Sequence, residues 1–353
     1  MIKDFRDYNL LPHNTFGIEA RCRRFVEFES VDEAREVATM LQEADEPLLI
    51  VGGGSNLLLT GDYQGTVVHS AIKGIREERG TSQESGDGSQ ESGDGSQEVI
   101  LTCGSGETWD DVVAYCVERG YYGAENLSLI PGEVGASAVQ NIGAYGAEVA
   151  DIIREVVGVE MGTGLVRRFA PEECGYAYRN SKFKNEWKNR YLIVEVSYAL
   201  KLDAGLNLEY GNIKAELERK GIECPTLSQL RQVIIDIRNA KLPDPKVEGN
   251  AGSFFMNPVV PVAKYEELAA QYPGMPHYVV DAERVKIPAG WMIDQCGWKG
   301  KSVGRAGVHS RQALVLVNKG GATGDEVVAL CKWIQQDVLE RFGIEIHPEV
   351  NIV

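Results

Sequence analysis

The stretch that decides the fold is Ile130-Pro131-Gly132-Glu133-Val134-Gly135-Ala136-Ser137-Ala138-Val139-Gln140-Asn141-Ile142-Gly143-Ala144-Tyr145-Gly146. Its glycines form two pairs, Gly132/Gly135 and Gly143/Gly146, and Glu133 is its only charged residue. Without Cβ atoms in the way, backbone N–H groups in such a stretch can approach a ligand closely. We interpret it as a glycine turn that contacts a phosphate-bearing cofactor.

A second glycine segment, Gly52-Gly53-Gly54-Ser55-Asn56, has an apolar run on each side, at 48–51 and 57–59. The pattern is therefore strand, glycine turn, strand. The dinucleotide fingerprint G-x-G-x-x-G needs a glycine turn that opens a helix, and neither that spacing nor a P-loop occurs here. The alternative is that both segments are only tight turns. Two long, nearly uncharged glycine segments favour a cofactor cradle outside a Rossmann domain.

Length, charge and cysteines exclude several classes of protein. The chain of 353 residues is long for one core, so two or three domains are expected. No run approaches the roughly 18 apolar residues of a membrane span and no apolar signal segment follows the charged start, so we expect a cytosolic protein. The net charge of −16 argues against a nucleic-acid surface. The seven cysteines lack any C-x-x-C pair and the histidines lack metal-ligand spacing, so neither disulfides nor a metal site is expected.

Hydrophobic periodicity predicts a mixture of strands and helices. A capping box at Ser30-Val31-Asp32-Glu33 opens one helix, and Gly120 closes another that begins near Glu107. A third runs from Thr226 to the Pro243 region, and a fourth runs from Gly324 to Phe342 and ends at Gly343. The predicted strands lie at 24–29, 66–71, 99–102 and 192–202, with a hairpin of 156–161 and 165–169 and a short closing strand from Ile344.

One segment has no apolar residues and repeats itself. Gln83-Glu84-Ser85-Gly86-Asp87-Gly88-Ser89 recurs at 90–96. Nothing there offsets the entropy of ordering the chain. We interpret residues 80–98 as a disordered insertion in a surface loop without a catalytic role.

Taken together with later motifs, the glycine segments resemble the UDP-N-acetylenolpyruvoylglucosamine reductases, flavoenzymes that make UDP-N-acetylmuramic acid for bacterial peptidoglycan. The resemblance runs from Asn14-Thr15-Phe16-Gly17 to Pro348-Glu349-Val350 and is interrupted only by the repeat. Its most specific motifs are Tyr178-Arg179-Asn180-Ser181-Lys182-Phe183-Lys184, Lys241-Leu242-Pro243-Asp244-Pro245-Lys246 and Gly249-Asn250-Ala251-Gly252-Ser253-Phe254-Phe255. Glu209-Tyr210-Gly211-Asn212 looks like the tyrosine-bearing loop of the longer family type.

The resemblance implies an α+β fold: a two-subdomain FAD-binding region of vanillyl-alcohol-oxidase type and a C-terminal α/β substrate-binding domain. The FAD-binding region would span 1–203, with subdomains of about 1–73 and 74–203. The substrate domain would span 226–342, and 343–353 would return to the FAD-binding region as a closing strand.

The resemblance also implies a reaction. NADPH reduces FAD, hydride passes to the vinyl carbon of UDP-N-acetylglucosamine enolpyruvate, and the α-carbon takes a proton. Arg179 would stabilise charge on the substrate carboxylate, since a guanidinium can grip it with two parallel hydrogen bonds. Ser253 would donate the proton, and Glu349 would polarise the intermediate or orient its partners.

Binding residues follow from the same resemblance. The implied FAD-binding residues are Gly52, Gly53, Gly54, Ser55, Asn56, Leu57, Pro131, Gly132, Gly135, Ala136, Ser137, Gln140, Asn141, Gly143, Tyr145, Gly146 and Arg238. The implied substrate-binding residues are Tyr210, Lys241, Asn257 and Gln312. Two positions depart from the family: Met256 stands where lysine is common, and Ala136 stands where serine is frequent. We expect a monomer without nucleic-acid or membrane partners.

Two other functions stay open. One is an FAD-dependent oxidase of the same flavin superfamily, often with a histidyl-linked flavin, although His69 lies far from the glycine turn in sequence. The other is a UDP-sugar binder without catalysis, which predicts a colourless protein. Bleaching of flavin by NADPH without air, followed by reoxidation with the enolpyruvyl sugar nucleotide, separates the reductase from the oxidase.

Overall fold

We describe the protein from a computed structural model, which describes residues 1–41, 43–79 and 98–353. The described chain divides into two compact units. Unit 1 comprises Met1–Asp7, Arg23–Gly53 and Gln64–Ala240, and unit 2 comprises Tyr8–Cys22, Gly54–Tyr63 and Lys241–Val353. The predicted repeat insertion lies outside the described residues except for Glu98, which begins a strand. Across the described ranges, no helix is both long enough and apolar enough to cross a bilayer.

The helices are α1 (Val31–Met40), α2 (Trp109–Arg119), α3 (Val134–Gln140), α4 (Ile213–Arg219), α5 (Leu227–Lys241), α6 (Val262–Gln271), α7 (Ala289–Gln295) and α8 (Gly324–Phe342). The strands are β1 (Lys3–Asn9), β2 (Arg21–Phe28), β3 (Leu48–Val51), β4 (Leu57–Leu58), β5 (Tyr63–Ser70), β6 (Ile75–Arg79), β7 (Glu98–Gly104), β8 (Gly143–Ala144), β9 (Ala147–Glu148), β10 (Ile153–Glu160), β11 (Val166–Phe169), β12 (Tyr191–Lys201), β13 (Gly249–Asn250), β14 (Val259–Pro261), β15 (Tyr278–Val279), β16 (Arg284–Lys286), β17 (Ser302–Val303), β18 (Ala306–Val308), β19 (Leu316–Asn318) and β20 (Asn351–Ile352).

Unit 1 is built on two sheets. The first has the strand order β1-β2-β5-β3, and β3 runs parallel to β5. The second, β11-β10-β12-β7-β6, is antiparallel throughout. Helix α1 buries Ala34, Val37 and Ala38 in a cluster that also contains residues of β10 and β12, so this helix joins the two sheets in one apolar core.

Local signals explain most unit 1 elements. Ser30 caps α1 by accepting a hydrogen bond from the Glu33 N–H at 3.2 Å. Gly120 ends α2 in a left-handed conformation, φ 73°, as a C-terminal glycine commonly does. The β10–β11 hairpin pairs Val156 with Phe169. These features confirm the predicted cap at Ser30, the helix end and the hairpin. The capping box itself is incomplete, because the Glu33 carboxylate accepts from the Glu29 N–H at 2.9 Å and not from Ser30.

Unit 2 carries the antiparallel sheet β13-β19-β18-β17 and the smaller sheet β14-β16-β15. Helix α8 has a full capping box between Thr323 and Glu326 and ends at Gly343, as the sequence predicts. Its buried face includes Leu330, Ile334 and Val338. Phe254 and Phe16 meet edge to face at 6.3 Å, so the early segment of unit 2 packs on the Ser253 motif.

The closing strand is shorter and later than predicted. Residues 344–347 are not in a strand, and only Asn351–Ile352 pairs, in parallel, with β4. Pro348 forms an isolated bridge with Phe255, because a proline has no N–H with which to continue a ladder. The prediction of a strand from Ile344 is therefore wrong.

The two compact units also divide the chain differently from the expected domain limits. Helix α5, which we expected at the start of the C-terminal domain, belongs to unit 1 up to Ala240. Residues 8–22 and 54–63, expected in the FAD-binding region, belong to unit 2. The assignment of cofactor and substrate to separate domains stays a prediction.

Candidate functional site

The stretch at 130–146, which we interpreted as a glycine turn, contains a helix that the sequence analysis did not predict. Its middle forms the seven-residue helix α3, with Val134 and Ala138 buried one turn apart. Gly135 is needed because a Cβ there would lie 3.0 Å from the Ser105 Cβ. Asn141 then adopts a left-handed conformation, φ 46°, and ends the helix.

Tight left-handed residues follow α3. Tyr145 has φ 49° and Gly146 has φ 78°, and together they connect the short strands β8 and β9. A Cβ on Gly146 would lie 3.2 Å from the Tyr210 Cβ. The predicted cofactor residue Gly146 and the predicted substrate residue Tyr210 are thus neighbours.

Arg179 lies beside the same connection. Its Nη1 donates to the Asn141 carbonyl at 3.2 Å, and its Nη2 donates to the Gly143 carbonyl. Arg179 itself has φ 54°, and its own carbonyl accepts from Lys184 Nζ at 3.2 Å. The guanidinium is thereby fixed to the end of α3 and to β8.

Arg238 completes the group that we call the arginine cluster: Tyr145, Arg179, Tyr210 and Arg238. Arg238 is half-buried, and its enclosed Nε has no hydrogen-bond partner among the described residues. Burial lowers the pKa of Arg238, with nearby Tyr145 opposing this effect and nearby Arg179 adding to it. Burial likewise raises the pKa of the Tyr145 phenol, while Arg238 opposes the rise. Two cations close together, one with an unmet donor, suit an anionic ligand.

The side chains of three other predicted cofactor residues in unit 1 form hydrogen bonds within the protein. Asn141 is fully buried, and its amide group contacts Glu148 at 2.7 Å, the Ala177 carbonyl at 2.9 Å and the Ala150 N–H at 3.1 Å. Ser137 donates to the Val134 carbonyl at 2.7 Å, and Gln140 accepts from Lys184 at 3.0 Å. These side chains shape the backbone at the end of α3.

The two glycine segments meet within unit 1. A Cβ on Gly52 would lie 3.1 Å from the Ala136 Cβ and 3.2 Å from Glu133 Oε2. Pro131 and Gly132 lie immediately before Glu133, and Gly53 is 3.7 Å from Glu133 Oε1 by the same measure.

The sequence did not identify Glu133 or its partner His69 as site residues. His69 Nε2 is 3.2 Å from both Glu133 oxygens, and Nδ1 is 2.8 Å from Glu27 Oε2. The large sequence separation of His69 from the glycine turn is therefore no guide to its position. No sequence signal revealed the contact, since only the pairing of β3 with β5 brings His69 to this edge.

In unit 2 the structure brings Ser253 to Glu349. Asn250 Oδ1 accepts from the Gly252 N–H at 3.0 Å, and the left-handed Gly252, φ 70°, presents Ser253 at the surface. The Glu349 N–H donates to the Phe254 carbonyl at 2.8 Å. We call this arrangement the serine junction.

Asn56 also reaches the serine junction. Its Nδ2 donates to the Glu349 carbonyl at 3.3 Å, and its own carbonyl accepts from the Asn351 N–H at 3.1 Å. Leu57 is buried in β4 next to it. Gly54 must be glycine, because φ is 65° and a Cβ would lie 1.9 Å from the His13 carbonyl oxygen. Ser55 lies between Gly54 and Asn56 and is half-buried.

The predicted substrate amides of unit 2 converge on one helix start. Asn257 Oδ1 accepts from the Ala289 N–H at 2.9 Å. Gln312 Oε1 lies 3.2 Å from the position that a Cβ would take on Gly290, the residue after Ala289. Each oxygen thus faces α7, and the amide N–H groups are the ones that can donate to a ligand. Lys241 lies at the exposed end of α5.

We assign no role at the site to the cysteines or to a metal ion. All seven cysteines are free, and five of them are buried. Burial raises the pKa of Cys116 and of Cys331, each to about 12, so neither is a thiolate at neutral pH. The described ranges contain no cluster of three His, Cys, Asp or Glu residues suited to a metal ion.

Comparison with known proteins defines the class first. Residues 22–169 match the FAD binding domain family, and residues 244–353 match the family described as UDP-N-acetylenolpyruvoylglucosamine reductase, C-terminal domain. The crystal structure of the reductase from Thermus caldophilus superimposes with a TM-score of 0.64 at 20% identity, covering 100% of this chain and 98% of that one. The chain is a flavoprotein of mixed helix and strand with an FAD-binding region and a distinct C-terminal domain, which confirms the predicted fold class.

Full-length relatives give the family. UDP-N-acetylenolpyruvoylglucosamine reductase of Bacteroides fragilis strain YCH46 is 50% identical over 98% of this chain and 99% of its own. The enzyme of that name from Porphyromonas gingivalis strain W83 is 46% identical, over 99% and 98% respectively. The chain belongs to the UDP-N-acetylenolpyruvoylglucosamine reductase family and is an FAD-containing oxidoreductase, so the resemblance seen in the sequence is confirmed.

Proposed function

We propose that the protein reduces UDP-N-acetylglucosamine enolpyruvate to UDP-N-acetylmuramate with NADPH, as a step of peptidoglycan precursor biosynthesis in the cytosol. The relatives that share its full length carry the name of this reductase. The single observation that carries the proposal is the serine junction, where the Glu349 N–H donates to the carbonyl of Phe254, the residue after Ser253. A binder of UDP-sugars would not need that pairing.

One feature of the described residues fits FAD: the enclosed Arg238 Nε is a donor without a hydrogen-bond acceptor among them. We assign Arg238 to FAD, together with the glycine backbone at 52–53 and 132–146. When bound, FAD supplies the hydride that reduces the vinyl carbon, and NADPH reduces the flavin again.

Arg179 supplies the cation for the substrate carboxylate. Negative charge grows on that carboxylate as the vinyl carbon gains hydride, and a fixed positive charge stabilises it more than water can. The bonds from Arg179 to the carbonyls of Asn141 and Gly143 hold the guanidinium at the end of α3. The planar fork of N–H donors in a guanidinium matches the two oxygens of a carboxylate.

Ser253 donates the proton to the α-carbon. Its hydroxyl is exposed at the serine junction, while Phe254 and Phe255 beneath it are buried. Glu349, half-buried beside them, is placed to orient the serine or to polarise the enol-like intermediate. General acid catalysis of this kind contributes about 10²- to 10⁴-fold to a rate.

We assign substrate anchoring to an aromatic side chain, two amides and an ammonium. In unit 1, Tyr210 is 37% exposed and borders Gly146, as expected of an aromatic group that covers a ligand. In unit 2, the amide N–H groups of Asn257 and Gln312 face polar edges of the nucleotide sugar, and Lys241 offers an ammonium to phosphate.

The experiment is anaerobic turnover with purified protein. NADPH is expected to bleach the flavin absorbance, and addition of the enolpyruvyl sugar nucleotide is expected to restore it with formation of UDP-N-acetylmuramate. The product is identified by its mass, two hydrogens above the substrate. An otherwise identical sample without the enolpyruvyl compound serves as the control.

Two results would contradict the proposal. Flavin that is reoxidised only when oxygen is admitted indicates the oxidase. Colourless protein that binds the sugar nucleotide without consuming NADPH indicates a simple binder.

A further inference from the structure

A buried row of three ionisable side chains ends at the glycine segments of unit 1. His69 on β5 lies between Glu27 of β2 and Glu133, the residue before α3. The three side chains are only 10%, 13% and 18% exposed. None of them belongs to the proposed chemistry, so their close approach needs another explanation.

Glu133 is the member that touches the glycine segments. Its carboxylate lies beside these glycines, with Oε2 3.2 Å from a Cβ placed on Gly52 and Oε1 3.7 Å from a Cβ placed on Gly53. Its carbonyl accepts from the Ser137 N–H at 2.9 Å, which starts α3. The position of this one side chain therefore couples the turn at 52–53 to the beginning of α3.

Only a protonated imidazole satisfies both neighbours. Each ring nitrogen of His69 faces a carboxylate, and a neutral ring has just one N–H to donate. The groups around the ring are Glu27 from β2, Glu133 from the turn before α3, the ring of Phe25 stacked at 6.4 Å, and Val51 opposite on β3. Lys3 of β1 reaches the outer carboxylate, Glu27, at 2.6 Å.

The electrostatics agree with that geometry. Burial alone would lower the pKa of His69, but its hydrogen bonds and charge interactions with Glu133 and Glu27 outweigh burial and raise it. A raised pKa means that the stabilisation is complete below the ordinary histidine pKa and is lost as pH rises through the raised one. Loss of the proton would leave the Glu133 carboxylate next to the glycine segments without the positive charge of His69.

We propose that His69 is a positioning residue for FAD: it fixes Glu133 against Gly52 and Gly53 and makes the affinity for FAD fall as pH rises. The inference rests on FAD occupying the glycine segments, as proposed above. Deprotonation of His69 releases Glu133 and adds net negative charge where the cofactor's phosphates approach. Both effects weaken binding of a dianionic pyrophosphate.

The test measures the FAD dissociation constant of apoprotein from about pH 6 to pH 9, which brackets the ordinary histidine pKa of about 6.5. The FAD dissociation constant of the wild type is expected to rise with pH. Its total rise is tenfold for each pH unit by which bound FAD raises the pKa of His69. The variant His69→Gln is expected to show no such transition and to bind as weakly as wild type at high pH.

Two further variants make the test specific. Glu27→Gln keeps His69 and Glu133 but removes a carboxylate that raises the pKa, so the midpoint of the transition is expected at lower pH. His309→Gln is the matched control, since His309 in unit 2 is also buried near a carboxylate, Glu248, at 3.9 Å. Its pH profile is expected to match wild type. If His69→Gln does not fold, Glu27→Gln alone decides the question.

The proposal is overturned if His69→Gln keeps the wild-type pH profile or if Glu27→Gln leaves the midpoint unchanged. It is also overturned if the NMR titration of His69 is the same in empty and FAD-loaded protein, because the cofactor then lies elsewhere. Turnover on the same samples separates the two claims. If the protein reduces the enolpyruvyl compound normally but its FAD affinity does not depend on pH, the role of His69 is wrong and the proposed function stands.

Discussion

The arginine cluster and the serine junction are held together by different groups. A side chain holds the backbone in the first, and backbone hydrogen bonds hold the segments in the second. In the arginine cluster, Arg179 bonds to the carbonyls of Asn141 and Gly143 and so holds backbone that includes left-handed Asn141 and Tyr145. In the serine junction, backbone bonds such as Glu349 N–H to Phe254 carbonyl hold the segments, and the Ser253 side chain is exposed. A change of Arg179 should therefore cost both stability and activity, whereas a change of Ser253 should cost activity alone.

The largest effect is expected for Arg179→Lys. Lysine keeps the charge but cannot bond to two carbonyls and a carboxylate together, so turnover should fall by about 10²- to 10³-fold. The free energy of unfolding should also fall by about 1–3 kcal/mol, because buried carbonyls lose a donor. Steady-state kinetics and urea unfolding measure the two effects.

Arg168→Lys is the matched control for that variant. Arg168 lies on β11 with its side chain 65% exposed, bonded to Glu155, and should change neither quantity appreciably. If Arg179→Lys turned over at the wild-type rate, the assigned cation would be wrong. An unchanged unfolding energy would contradict the contrast between the two regions.

Arg238→Met should separate stability from binding. Replacing an enclosed guanidinium whose Nε has no described partner by an apolar chain should leave the apoprotein as stable or more stable. The affinity for FAD should nevertheless fall by at least about tenfold, because a charge-assisted hydrogen bond is lost. Fluorescence of released flavin and urea unfolding of the apoprotein measure these quantities.

Arg231→Met on the same helix should lower stability without changing the affinity for FAD. Arg231 is paired with Asp110 at 2.7 Å and lies outside the arginine cluster, so its loss should destabilise the fold and leave FAD affinity unchanged. Equal behaviour of the two variants would remove Arg238 from the cofactor site.

The smallest effect is expected for Gly146→Ala. Alanine at φ 78° costs about 1–2 kcal/mol, and the added Cβ also displaces Tyr210, 3.2 Å away. Gly162→Ala in the β10–β11 turn has a similar φ, 81°, with open space around it, and isolates the conformational cost. Only Gly146→Ala should also raise the KM for the sugar nucleotide, and equal KM values would remove Tyr210 from the substrate site.

Elements with strong local signals could be predicted from the sequence. The limits of α8 were predicted at both ends, because Thr323, Glu326 and Gly343 cap it locally. Helix α3 was not predicted, because a seven-residue helix has no stability of its own and depends on packing against the sheet. Pro348 similarly interrupts a strand that the apolar pattern at 344–347 suggests.

The site was predictable only in part. Motifs identified Arg179, Ser253 and Tyr210, whose neighbours the structure now supplies. The link from His69 to Glu133 could not be predicted, because it depends on which strand lies beside β3. The deeply buried Asn141 illustrates a second limit: a motif marks a residue without saying whether it contacts a ligand or holds the backbone.

The most direct test of the central claim is the behaviour of Ser253→Ala in the two half-reactions, with the exposed Ser302→Ala in β17 as the control. The account predicts that NADPH bleaches the flavin of Ser253→Ala at the wild-type rate, and that the unfolding energy stays within about 0.5 kcal/mol of wild type. Anaerobic addition of the enolpyruvyl sugar nucleotide should then fail to restore the flavin absorbance, whereas Ser302→Ala should recover it fully. Full turnover by Ser253→Ala would contradict the account.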